Sequence, residues 1–354
     1  MTKGSILVAP LNWGLGHATR CIPIIKALQR EGYKPILASD GVALELLKKE
    51  FPQLEFYELP SLKIKYAKKG FWFKFKIILQ LFRLYKCIRQ ERRFIRELTE
   101  KIKLKGIIAD NRLGLYHKNI PCVIISHQLK VFSGSTTWLT SKLHQYFIAK
   151  YDECWVPDFA IRPYLSGKLG HLKSTGLNLK YIGVLSRFQI REEPIKNDIL
   201  ILLSGPEPQR GFLEQKMLTA FKNDHRKVVM VCGVVENKVK NYQIGNISVY
   251  NFLTAGALET IILQSKIIIA RSGYTTLMDL AKLNKKALFI PTPGQFEQQY
   301  LAKRLQNYHI APFCKQENFE INELVKVNFF KGLGRLGFRG DFAFGNIFKL
   351  FERK

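Results

Sequence analysis

Short apolar runs alternate with longer amphipathic stretches along nearly the whole chain. β-rich runs fall at Ile6–Ala9, Pro35–Ser39, Leu54–Leu59, Gly106–Asp110 and Pro121–Ser126, and helical periodicity fits Ile22–Arg30 and Val42–Glu50. Runs that are apolar on both faces, separated by helices, predict a parallel sheet covered on both sides. The rhythm restarts at Asp198–Ser204 and continues through Lys227–Cys232, Ser248–Phe252, Lys266–Ala270 and Lys286–Pro291. Helices are predicted near Leu213–Phe221 and over Leu258–Gln264, Thr275–Leu283 and Glu297–Leu305. Between the halves, Ser186–Asn197 is polar, contains Pro194 and lacks clear periodicity, which marks a domain boundary. The expected architecture is α/β, with two Rossmann-like domains at residues 1–190 and 191–330. Residues 331–354 form an atypical tail with five glycines among 24 residues, each costing a helix interior roughly 1 kcal/mol.

A chain of 354 residues, 47% of them hydrophobic, is long enough for two such cores. Charge changes the picture more: 56 Lys and Arg against 28 acidic residues leave +28. Such a surplus predicts attraction to a polyanion, whether anionic lipid, nucleic acid or a phosphorylated substrate, the alternative being a generally basic composition. Ser61–Lys105 carries 15 Lys or Arg and three Glu. Within it, Phe71–Arg83 mixes aromatics with cations, which suits an anionic membrane interface or, equally, a long helix with a solvated basic face. The six cysteines are scattered without a C-x-x-C, which argues for a reducing compartment and against structural zinc. The opening apolar run is too short for a signal-peptide core, and no window approaches 18 uninterrupted apolar residues, so a spanning helix is not expected. No RNA- or DNA-binding motif is present to support a nucleic-acid partner.

Two loops carry candidate chemistry. The first strand ends in Pro10-Leu11-Asn12-Trp13-Gly14-Leu15-Gly16-His17-Ala18-Thr19-Arg20, where Gly14 and Gly16 let the backbone approach a ligand. A third glycine is missing, and only Asp40 lies near the place of an acidic ribose ligand. Pro23 is tolerated if the helix starts near Thr19. His17 sits at the carboxyl end of a strand, where open α/β sheets bind ligands. It could take a proton from a hydroxyl or simply cap the helix. In the second half, Ser272, Gly273, Thr275 and Thr276 fall at a helix start that favours a phosphate, and Asp279 lies one turn in, within reach of a ribose. An ordinary Ser/Thr N-cap is the alternative. Gln298 and Gln299, on a helix opened by a Pro/Gly loop, suit sugar hydroxyls or a solvated surface.

The segment RSGYTTLMDLAKLNKKALFIPTPGQFEQQYLAKRL, together with GLGHATR, resembles the family 28 (MurG-like) glycosyltransferases over about residues 5–310. The resemblance implies the GT-B fold, two Rossmann-like domains facing across a cleft. It implies transfer of a hexose or N-acetylhexosamine from a UDP-linked donor to a hydroxyl of a lipid or lipid-linked acceptor, with inversion, at the cytoplasmic face of a membrane. His17 matches the family's histidine near the reaction centre, and either His17 or Asp110 would remove the proton. Arg187 matches the arginine meeting the donor phosphate. Phe252 and Leu253 match the pair flanking uracil, and Asp279 stands where the family has Glu. Gln298 and Gln299 match the sugar-reading pair. Ser204 opens the second-domain turn, and Asn12, Gly14, Gly16 and His127, in Ser126-His127-Gln128-Leu129, fall on the acceptor side. With no D-x-D, neither a metal nor a cofactor is implied. A sugar-nucleotide epimerase of the same fold is the nearest alternative, and a non-enzymatic nucleic-acid-binding protein a more distant one.

Overall fold

Strand β1 (Ser5–Pro10) is buried from Ile6 to Pro10, which places it inside a sheet covered on both faces. In the computed structural model, which describes residues 2–61, 73–236, 238–336 and 344–352 (backbone alone over 73–81), β1 lies within a seven-stranded parallel sheet. Its other strands are β2 (Lys34–Ser39), β3 (Glu55–Glu58), β4 (Leu104–Asp110), β5 (Cys122–Ile125), β6 (Glu153–Val156) and β7 (Leu179–Tyr181), in the order 3-2-1-4-5-6-7. Helices α1 (Gly16–Arg30), α2 (Gly41–Glu50), α3 (Phe73–Lys101) and α4 (Thr137–Ile148) connect them.

The second half builds a sheet of β8 (Asn197–Leu202), β9 (Val228–Val231), β10 (Asn241–Ile244), β11 (Ile247–Tyr250), β12 (Ser265–Ala270) and β13 (Lys286–Phe289), in the order 10-11-9-8-12-13. Its helices are α5 (Gln209–Phe221), α6 (Ala255–Leu263), α7 (Tyr274–Lys282) and α8 (Phe296–Asn307). Only β10 runs antiparallel, as a hairpin with β11. The α/β fold with two parallel-sheet halves is therefore present as expected.

In each sheet the winding reverses once, between β1 and β4 and between β8 and β12. Loops diverge at such points, and the crevice at the carboxyl ends of the strands is where ligands bind. The GLGH loop leaves β1 and Asp110 ends β4. Ser204 follows β8 and Arg271–Gly273 follows β12. Both candidate loops thus fall at switch points.

Several expectations need correction. Helix α1 begins at Gly16 rather than near Thr19, so Pro23 lies in its second turn and the Thr19 carbonyl lacks its usual N–H partner. Strands β6, β7 and β10 and helix α4 were not expected. The first two strands are only four and three residues long, too short to show a period. The glycine-rich tail is not a loose end: helix α9 (Gly345–Phe348) and the turn after it return to the first sheet. Phe348 and Phe351 are buried there, each with its ring centroid 6.2 Å from that of Trp155. A Cβ on Gly106 would overlap the ring of Phe351, so the glycine in β4 makes room for the tail. Phe71 and Trp72 of the aromatic–basic run lie outside the described residues, as do the side chains of 73–81.

Candidate active site

The centre of the first half is a buried polar cluster built from three sequence-distant elements. Arg20, one turn after His17 on α1, donates from Nε to Asp110 Oδ2 (2.6 Å) and from Nη2 to Asp110 Oδ1. His17 Nδ1 lies 3.0 Å from Asp110 Oδ1 and 2.9 Å from Arg20 Nη2. Arg20 Nη1 also reaches His127 Nδ1 at 3.0 Å. Asp110 is fully buried and Arg20 nearly so, while His17 keeps partial exposure. Burial opposes the Asp110 charge, yet Arg20 and His17 hold its carboxyl well below the usual carboxylate range. Burial and the Arg20 charge keep His17 below its ordinary value, Asp110 pulling the other way. Asp110 is therefore no proton acceptor: its lone pairs are committed to a guanidinium and it is too weak a base. Asp110 thus stands as the hydrogen-bond partner of both His17 and Arg20.

The two halves meet at this cluster. His127 Nε2 lies 2.8 Å from Glu297 Oε1 on α8, and Gln128 Nε2 donates to Glu297 Oε2. The His127 ring stacks on Tyr274 of α7, with centroids 4.2 Å apart. Thr275 Oγ1 donates to the Gly16 carbonyl at 3.1 Å, and a Cβ on Gly16 would stand 2.8 Å from that hydroxyl, which explains the glycine. Gly14, with φ of +73°, supplies the left-handed turn before it. Burial alone would raise the Glu297 carboxyl, but His127, His17 and Arg20 hold it below its ordinary value.

On the second side of the cleft, α7 starts at Tyr274 with no side-chain cap and no acidic residue in its first turn, and a Cβ on Gly273 would meet open space. Ser272 is buried, its hydroxyl donating to the Gln298 carbonyl at 2.8 Å, so it shapes the loop rather than facing outward. Thr276 is half-buried. Asp279 accepts a hydrogen bond from Ser186 Oγ at 2.6 Å, and Arg187 adds a nearby positive charge. Burial pushes the Asp279 carboxyl up to about 6 despite both. Two buried polar atoms in this half of the cleft, Arg187 Nε and Thr292 Oγ1, have no partner. Such groups cost about 1–3 kcal/mol each when left unsatisfied.

Other candidates are occupied. The Gln298 amide accepts from Thr292 N–H (2.8 Å) and donates to Gln295 (2.6 Å), so it holds its own loop, while Gln299 is exposed. The ring of Phe252 is buried with the Lys49 ammonium 4.8 Å from its centroid, and Leu253 packs at the edge of the core. Ser204 is exposed on the turn after β8. Asn12 donates to Asp40 Oδ2 at 3.1 Å, and Asp40 pairs with the buried Arg112, which also binds Glu91 at 2.9 Å. Asp40 is thereby spent on a structural ion pair and is no ribose ligand. Arg20 and Glu297 were missed. The H-x-x-R spacing that stacks Arg20 over His17 was visible, but not its pairing with Asp110, 90 residues away.

A histidine held against a buried carboxylate faces a bare helix start across two switch points. Residues 210–328 match the model of the glycosyltransferase family 28 C-terminal domain. An uncharacterised glycosyltransferase of Methanopyrus kandleri is 22% identical over 305 residues, covering 79% of this chain and 83% of that protein. MurG of Acinetobacter baumannii superposes with a TM-score of 0.57 at 14% identity, covering 99% of this chain and 100% of that one. The calicheamicin glycosyltransferase CalG4 gives 0.64 at 11% identity, covering 95% and 94%. Residues 210–328 thus match a family 28 C-terminal domain, and the chain as a whole shares the two-domain fold of the GT-B glycosyltransferases.

Proposed function

We propose that the protein moves a hexose or N-acetylhexosamine from a UDP-linked donor to a hydroxyl of a lipid or lipid-linked acceptor, inverting the anomeric centre. The observation that carries this reading is the contact of Thr275, in the first turn of α7, with the Gly16 carbonyl beside His17. It supports the reading by bringing the start of α7, which would hold the diphosphate, beside His17, which would accept the proton. The diphosphate would lie at the start of α7, where free N–H groups and the helix dipole favour negative charge. Those donors and Arg187 would stabilise the charge that develops as the nucleotide leaves. Asp279 would accept from the ribose, and Gln299 from the sugar, with Gln298 fixing the loop. With its Nδ1 proton donated to Asp110, and not accepting from Arg20 Nη2, His17 would take the proton of the attacking hydroxyl at Nε2 while Asp110 steadies the imidazolium. Attack from the side opposite the leaving group gives inversion.

The acceptor and the membrane rest on charge and surface. No helix among the described residues is long and apolar enough to cross a membrane. Helix α4, which packs behind the His127 loop, turns Trp138, Leu139 and Tyr146 outward with Lys142, has no acidic residue, and is followed by the exposed Lys150. That face supports peripheral attachment to an anionic leaflet, the inner face of the cell membrane on this reading.

Binding of UDP, dTDP, GDP, UMP and uridine by calorimetry tests the donor. UDP is expected to bind at least about tenfold more tightly than uridine, a difference of about 1.4 kcal/mol. Transfer from the selected nucleotide sugar to lipid extracts then tests the acceptor, and NMR of the product its anomer. Absence of affinity for every nucleoside diphosphate would falsify the reading. A free epimer released without acceptor would replace transfer by epimerisation.

A further inference from the structure

Arg20 is a buried guanidinium in contact with both histidines and with Asp110. We propose that it is a positioning residue that keeps His17 usable as a base, by taking up the charge of Asp110 so that His17 shares that carboxylate as a neutral ring. A buried carboxylate 3.0 Å from an imidazole would by itself hold a proton on the ring. A protonated ring has no lone pair to receive the acceptor's proton. The guanidinium fork removes that pull by donating to both Asp110 oxygens.

The surroundings leave no substitute for it. Arg20 faces His17 from its own helix, Asp110 from the end of β4, His127 from the loop after β5, and Glu297 from α8, while Cys21 donates to Asp110. Arg20 is the permanent cation in this set, and Asp110 and Glu297 are the anions. Without it, two carboxylates would face two imidazoles with no cation between them, and the His17 ring would be driven to protonate.

Arg20 also orders the far side of the cleft. A guanidinium can only donate, so at 3.0 Å from Arg20 Nη1 the Nδ1 of His127 must accept. The proton of the neutral ring is then on Nε2, pointing at Glu297 Oε1, 2.8 Å away. One cation thus fixes the state of the base in the first half and the partner of Glu297 in the second.

The consequence for turnover rests on the glycosyl-transfer reading, but the titration does not. The test is NMR titration of the full chain labelled with 15N-histidine, with His17 assigned through a His17→Gln variant. In Arg20→Gln the midpoint of His17 is expected to rise by about one pH unit or more, the size of a lost neighbouring charge. In Arg20→Lys the charge remains and the midpoint stays near wild type, while His127 loses its single Nε2–H tautomer. An unchanged or lowered midpoint in Arg20→Gln overturns the proposal, as does an Nδ1–H tautomer for His127 in the wild type. Should Arg20→Gln not fold, Asp110→Asn decides: a lowered midpoint supports the proposal and a raised one overturns it. In a transfer assay, the acid limb of kcat/KM should move up with the midpoint in Arg20→Gln, with kcat recovering at higher pH. A raised midpoint in a protein with no transferase activity would leave this inference standing and remove the proposed reaction instead.

Discussion

At the scale of single residues, His17 bears the largest expected effect. General-base contributions run to about 10²–10⁴-fold, so His17→Ala should cost that much in kcat with little change in UDP affinity. Burial and Arg20 hold the ring below its ordinary value of 6.5. Activity is therefore expected to persist down to a pH below 6.5 and to fall only as the ring protonates, and a pH profile of kcat/KM checks the position of that limb. An acid limb well above 6.5 would contradict the environment described for the ring. The sequence displayed His17, because a histidine after a glycine turn at a strand end is a local pattern. It did not display which carboxylate partners it, because Asp110 reaches the ring only through the β1–β4 pairing. For the same reason Gln298 reads as a sugar ligand along the helix, yet its amide closes onto Thr292 and Gln295. Asp40 reads as a ribose ligand by distance along the chain, yet it neutralises Arg112.

At the scale of elements, periodicity located nearly every long strand and helix, since burial on both faces is written into the composition of β1, β4, β8 and β12. It failed where pairing with a neighbour, not composition, makes the strand. Edge strands β7 and β10 are three and four residues long and at most half-buried. The tail failed for another reason. Its glycines signal an irregular chain, but Phe348 and Phe351 supply enough apolar surface to dock a short helix against β4. Removing one fully buried phenylalanine ring typically costs 3–5 kcal/mol. Phe351→Ala is accordingly expected to lower unfolding free energy by about 3–5 kcal/mol in urea titration. Its UDP affinity should be preserved, because the contact lies against the first sheet. A loss of less than about 1 kcal/mol would mean the tail does not belong to that core.

At the scale of the whole molecule, +28 charges must be reconciled with a cleft that holds its own cations in ion pairs. The buried arginines Arg20 and Arg112 are matched by carboxylates, so they add little to the outer field. Arg271, buried without a carboxylate, is held by the Ile290 and Gln209 carbonyls and by Gln316, and of the cations on the surface only some stand beside exposed apolar side chains. Among the described residues, faces that combine both include α4 with the residues just after it, carrying Trp138, Tyr146, Lys142 and Lys150, and the second half of α3, with Phe82, Tyr85, Arg89 and Arg93. Helix α4 has the stronger case, because its inner face supports the active-site loop: Ser126 Oγ lies 3.4 Å from His144 Nε2, and Gln145 Nε2 donates to the Leu129 carbonyl at 2.9 Å. A membrane held against α4 would thus present lipid next to the acceptor side of the cleft. Each cation near an anionic surface contributes about 1 kcal/mol, so Lys142→Glu with Lys150→Glu should weaken binding to phosphatidylglycerol vesicles at least about tenfold. Trp138→Ser should weaken it further by removing an interfacial anchor. Neither change should alter UDP affinity, since all three side chains are exposed and on the half opposite the start of α7. Cosedimentation at two salt concentrations separates the two faces, with Arg89→Glu and Arg93→Glu as the comparison pair. If only the α3 variants detach, the membrane sits on the other face, and if none does, the surplus charge serves no membrane.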